Sequence, residues 1–193
     1  ADRVEPKDMP ELERLILHRL AELDVAVREG YGAYDFQGVL QKLFQFATVD
    51  SSAVYFDIRK DALYCDGNSE RRRAAMTVLD LVFERVTTWL APILVFTMEE
   101  VWLERFPSED SSVHLVDIPA TPADWLNEPL AAKWARVRNV RRVVTAALEV
   151  QRTDKVIGAS LEAAPVVHVR DADTLAALKT VEQAGAGLSQ YEF

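Results

Sequence analysis

The side chains best equipped for chemistry are guanidinium groups. Arg138, Arg141, Arg142 and Arg152 fall within LAAKWARVRNVRRVVTAALEVQR, and at 100° per residue they read as one side of a long helix. Trp134, Val137, Val140, Val144, Ala147 and Leu148 read as the opposite, apolar side. A second basic group, Arg71, Arg72 and Arg73, heads another long helix, and Lys155 follows the first. Such cations hold either neighbouring carboxylates or the phosphates of a ligand, because both are planar or clustered oxygen acceptors. Three successive residues cannot share one helical face, so Arg71 to Arg73 make the weaker stripe.

Groups for bond-breaking chemistry are missing from the sequence pattern. His18, His114 and His168 sit in three different elements, which encodes neither a local zinc site nor a histidine-based triad. His18 reads as a surface or satisfied histidine. Gly30 and Gly32 form an isolated pair without the third glycine or preceding strand of a phosphate loop. Glu99 with Glu100, and Asp171 with Asp173, lie at helix starts, where the helix dipole favours carboxylates. Tyr31, Tyr34 and Trp125 are rings that either stack on a planar ligand or pack into core and loops.

The elements that must position these groups are helical. ELERLILHRLAELDVAVREG carries Leu12, Leu15, Ile16, Arg19 or Leu20, Leu23 and Val27 on a stripe, entered at Asp8-Met9-Pro10 and stopped at Gly30. Asp35 caps FQGVLQKLFQFATV, and Asp50-Ser51-Ser52 either caps a new helix or bends the same one. The stretch from Arg71 to Trp102 is the most periodic of all. Ala75, Val78, Leu79, Val82, Val86, Trp89 and Leu90 mark one face, Pro92 breaks it, and Thr97 with Glu100 has capping-box spacing for a restart. SVHLVDIP reads as a short extended piece before a proline-punctuated connection. From Lys155 the pattern changes to strand-like VVHV, a helix from Asp171, and strand-like LSQYEF, a β-α-β piece.

Composition sets the frame. The chain has 193 residues, 49% hydrophobic and 27% charged, as in an ordinary globular protein able to bury a core. No run reaches the eighteen or so apolar residues of a membrane span. Single Cys65 has no intrachain disulfide partner, which is compatible with a reducing cytoplasm. The opening ADRVEPKDMPEL, without an initiator Met, reads as a linker into a domain cut from a longer protein. The net charge of −9 opposes nucleic-acid binding as a bulk property, though a local basic stripe is compatible with it.

Four segments then become specific. TVDSSAVYFDIRKDALYCD (residues 48–66) resembles the helix–bend–helix signature of bacterial isoleucyl-tRNA synthetases, and LAPILVFTMEEVW (residues 90–102) is similar to an elbow shared by the class I enzymes for isoleucine, valine, leucine and methionine. SVHLVDIP (residues 112–119) and KVIGASLEA (residues 155–163) again resemble the isoleucine enzyme, with Ala159 where the family often has Ser. The Tyr64-Cys65-Asp66 ending and the IGASLEA run favour isoleucine over its sister enzymes.

The resemblance implies a mainly α fold, an antiparallel helix bundle over residues 11–154. Residues 1–10 would link it to an upstream core, and residues 155–193 would begin a C-terminal junction module. It implies a cytoplasmic, monomeric ligase whose bundle grips the anticodon stem-loop of isoleucine tRNA through Arg138, Arg141, Arg142 and Arg152, then Lys155 and Arg71, Arg72 and Arg73. ATP and Mg would serve the upstream core and zinc a downstream tail, with no cofactor and no catalytic residue in this fragment. The competing readings are a structural or protein-interaction bundle that touches no RNA, and the equivalent domain of a valyl or leucyl enzyme.

Overall fold

The computed structural model describes residues 3–183. The described residues are mainly helical and form two compact units that divide between Leu126 and Asn127. Compactness therefore groups the long arginine-bearing helix with the residues after it, a different cut from the change in sequence character at Lys155.

The first unit is built on α1 (Glu11–Gly32), α2 (Phe36–Gln45), α3 (Asp57–Tyr64), α4 (Glu70–Leu90) and α5 (Val95–Arg105). The stripe Leu12, Leu15, Ile16, Leu20, Leu23 and Val27 is buried, and so are Glu13, Leu17 and His18 elsewhere on α1. α2, α4 and the turn at Ala123–Trp125 all pack on α1, which is why it is buried well beyond one face. Gly30 is not its stop. α1 runs on to Gly32, and a Cβ on Gly30 would stand 2.5 Å from Val39 Cγ2, so the bare glycine lets α2 approach closely. Asp35 caps α2 as its type predicts, its Oδ1 accepting from the Gly38 N–H at 2.9 Å.

Residues Asp50, Ser51 and Ser52 do not cap a new helix. From Phe46 to Phe56 the chain continues in wider, π-helical turns and runs straight into α3. Asp50 is buried and faces Arg19 of α1 at 3.3 Å, so its carboxylate is engaged across the bundle.

α4 packs against α1, α2, α3 and α5, consistent with its reading as a spine. Its apolar face is only partly covered. Ala75, Val78 and Trp89 are buried, whereas Leu79, Val82 and Val86 line an open apolar groove of about 450 Å³ with Phe56, Met76 and Met98. Polar positions are buried too. Arg85 donates to Thr121 Oγ1 at 3.2 Å and to the Ala120 carbonyl at 3.0 Å, and lies over the Trp125 ring at 4.5 Å. The elbow at Pro92 is present, but the capping box is not. α5 begins at Val95, so Thr97 already lies in its first turn, and Leu94 precedes the helix without a side-chain cap. SVHLVDIP opens as a 3-10 turn, Val113–Leu115, and only then extends.

The second unit contains α6 (Glu128–Thr153) and α7 (Ala172–Gln183). Arg136 Nη2 of α6 meets Asp173 Oδ2 of α7 at 3.3 Å. Asn127 caps α6 through Leu130 N–H at 3.1 Å, with Pro129 in the first turn where its missing N–H costs nothing. No strand occurs among the described residues. VVHV is irregular, with Val166 79% and Val167 43% exposed, because a lone strand has no ladder to complete its backbone hydrogen bonds. The other expected strand, LSQYEF, lies outside the described residues.

Among the described residues, two that are not glycine have positive φ, Tyr34 at 58° and Lys155 at 57°. Each stands just past a helix, in the left-handed position that glycine usually fills. Asp35 N–H bonds the Gly30 carbonyl at 2.8 Å and Tyr34 N–H bonds Tyr31 at 3.1 Å. The same pair recurs after α6, Val156 to Gln151 at 2.9 Å and Lys155 to Arg152 at 3.0 Å. These are Schellman closures in which a Cβ costs of order 1 kcal/mol that glycine would avoid.

Candidate nucleic-acid interface

α6 is the basic element of an acidic chain. Lys133, Arg136, Arg138, Arg141, Arg142 and Arg152 face only Glu128 and Glu149 in its own sequence. Its buried stripe is Leu130, Trp134, Val137, Val144 and Leu148. The arginines flank this stripe and do not oppose it. Arg141 follows Val137 by one four-residue step, about 40° round the helix, so it borders the apolar seam. Arg138 and Arg141 are accordingly half-buried and already engaged by neighbours. Arg142 is exposed and donates to Asn139 Oδ1 at 2.7 Å, and Arg152 is exposed and paired with Glu149 at 2.7 Å.

Arg152 and Lys155 come together at the end of α6, where Glu149, Thr153, Ile157 and Gly158 complete an open cleft of about 470 Å³. The Gly158 N–H donates to Glu162 Oε2 at 2.8 Å, which folds the IGASLE run back on itself. Arg142 stands ten residues before Arg152, roughly 15 Å along the helix axis, so the α6 cations form a row and not a single pocket.

The second basic group divides by role. Arg71 pairs with Asp66 at 3.0 Å, and Arg72 Nε donates to the Leu63 carbonyl at 3.1 Å; both tie the α3–α4 connection to the start of α4. Ser69 caps that helix through the Arg72 N–H at 3.1 Å. Bonds from Arg71 and then Ser69 hold the Asp66 carboxyl below its usual range. Arg73 alone of the three is exposed.

The aromatic candidates also separate. Trp125 is buried beneath Arg85, and Tyr31 is half-buried with its hydroxyl donating to the Trp89 carbonyl. Tyr34 is 80% exposed. His18 is buried, with Nε2 3.5 Å from Glu22 Oε2, and is therefore not a surface histidine. Lys133 and Arg136 also lie on α6 but off the stripe formed by the other arginines, and Arg136 is paired with Asp173.

The chain is mainly helical and carries a row of cations along one long helix, and comparison with known proteins makes its class specific. The family model for the anticodon-binding domain of tRNA ligases matches residues 13–168, spanning both units, and the chain belongs to that family. Its relatives include the isoleucine–tRNA ligase of Ruegeria pomeroyi, 69% identical over 94% of this chain, and that of Agrobacterium fabrum, 58% identical over 89%. The isoleucine–tRNA ligase of Mesorhizobium japonicum is 57% identical over 91% of the chain. The chain spans 18% to 19% of the length of these relatives.

Proposed function

We propose that the chain is the anticodon-binding portion of an isoleucine–tRNA ligase and holds the anticodon stem-loop so that the acceptor end reaches a distant catalytic core. The match to the anticodon-binding family over residues 13–168 carries this reading, and the isoleucine–tRNA ligases among its relatives favour isoleucine over valine or leucine. Phosphate contacts set position. Arg138, Arg141, Arg142 and Arg152 along α6 supply them, with Lys155 at its end and Arg73 ahead of Arg71 and Arg72 on α4. The base edges and faces of the loop give identity. In this reading residues 11–154 are the helical anticodon-binding domain, and residues 155–193, opening on Lys155, begin a following module.

ATP and Mg serve the core and zinc a separate tail, both outside residues 1–193, and the ligase is a cytoplasmic monomer. No described helix is long and apolar enough to cross a membrane. Binding to an isoleucine-tRNA anticodon stem-loop at low and moderate salt tests the proposal. Affinity is expected to fall with salt, and to fall further when Arg138→Glu and Arg142→Glu are combined. Unchanged affinity in that variant would remove the α6 face from the RNA surface. Failure of the chain to bind at low salt would favour a protein-interaction role.

A further inference from the structure

From the conformation and exposure of Tyr34, we infer that its ring is a base-stacking platform for an unpaired nucleotide of the bound RNA. This rests on the RNA-binding reading above and adds to it a residue that carries no charge. Tyr34 occupies the left-handed position closing α1, with φ 58°, where glycine would sit without strain. Strain of this kind persists where the surroundings over-determine it, and it clusters at binding sites.

Nothing in the fold explains a tyrosine at this corner. Its side chain is 80% exposed, so it contributes little to the core. Among the described residues its ring meets that of Phe36 edge-on, centroids 6.3 Å apart at 69°, and Phe36 in turn meets Tyr31 at 5.7 Å and 61°. Those two contacts steady the ring edge-on and leave ring surface open to solvent. The backbone beneath it is fixed by the two Schellman bonds and by the Asp35 cap of the next helix. A rigid, exposed, uncharged ring on a fixed turn is the form of a stacking surface, because every base offers a π-face and stacking needs no hydrogen bond.

The test is binding of a synthetic isoleucine-tRNA anticodon stem-loop by the whole chain carrying Tyr34→Gly, Tyr34→Asn or Tyr34→Phe. Glycine and asparagine both accept the left-handed conformation, so the melting temperature is expected to stay within a few degrees. Affinity is expected to drop about five- to a hundredfold in both, with the slope of affinity against salt unchanged, since no phosphate contact is lost. Tyr34→Phe is expected to bind as the parent does. An abasic substitution at the stacked nucleotide should weaken the parent but not Tyr34→Gly, and scanning the loop for that non-additivity identifies the base. Parent-like affinity in Tyr34→Gly and Tyr34→Asn would overturn the inference and leave the RNA-binding reading standing. Absence of binding by the parent chain would overturn that reading, and this one with it.

Discussion

The Arg59 guanidinium forks onto the Glu13 carboxylate, Nε to Oε1 at 2.6 Å and Nη2 to Oε2 at 3.0 Å, with both side chains shut away from water. Tyr55 adds its hydroxyl to Glu13 Oε1 at 3.2 Å. This triad ties the 48–66 signature run to the first helix. A pair so enclosed gains little over an apolar substitute, but removing one member strands the other's charge in the core.

Glu13→Leu or Arg59→Met alone is therefore expected to destabilise the chain by about 3–5 kcal/mol. The double variant should recover most of that loss. Urea denaturation of the three proteins decides it, and additive losses would mean that the two residues do not act as a pair.

Alkaline pH should attack the same place. Burial, and then the Glu13 carboxylate, push the Tyr55 phenol well above the ordinary tyrosine value. Its folded pKa is raised, so its stabilising contribution is complete below the unfolded value of about 10 and declines as pH rises from there through the folded value. Stability measured from pH 9 upward should fall steeply in the parent and less in Tyr55→Phe.

Asp66 has the opposite sign. The bonds from Arg71 and Ser69 lower its pKa, so its contribution is present above the ordinary carboxylate value near 4 and is lost as pH falls through the lower folded value. A carboxyl titration by NMR should place Asp66 below the ordinary aspartate value. Arg71→Ala should move it upward, and an unmoved titration would mean that the ion pair does not form in solution.

Lys155 offers a way to part binding from folding. Lys155→Gly relieves the left-handed backbone, so the melting temperature should hold or rise slightly, while Lys155→Val should cost about 1–2 kcal/mol. If Lys155 meets a phosphate, the glycine variant should also reduce the slope of log affinity against log salt by about 1. An unchanged slope would assign the lysine to the protein surface alone.

The helices were legible because their signals are local: three- and four-residue apolar spacing, Asp35 as a cap and Pro92 as a break act within a turn or two of themselves. The family signal was legible for a related reason, since four short motifs keep their residues in order. The strand-like VVHV misled because alternation in sequence says nothing about whether a partner strand exists.

What the sequence determined by itself was which segments are helices and which family they belong to. Tertiary structure decided which charges are spent inside the protein. Arg59 closes on Glu13 across 46 positions and Arg85 on Ala120 across 35, whereas Arg152 pairs only within its own helix and Arg73 stays exposed. An arginine carries the same charge in every context, so only packing, by placing carboxylates and carbonyls beside some and water beside others, determines which are used inside the protein and which stay at its surface.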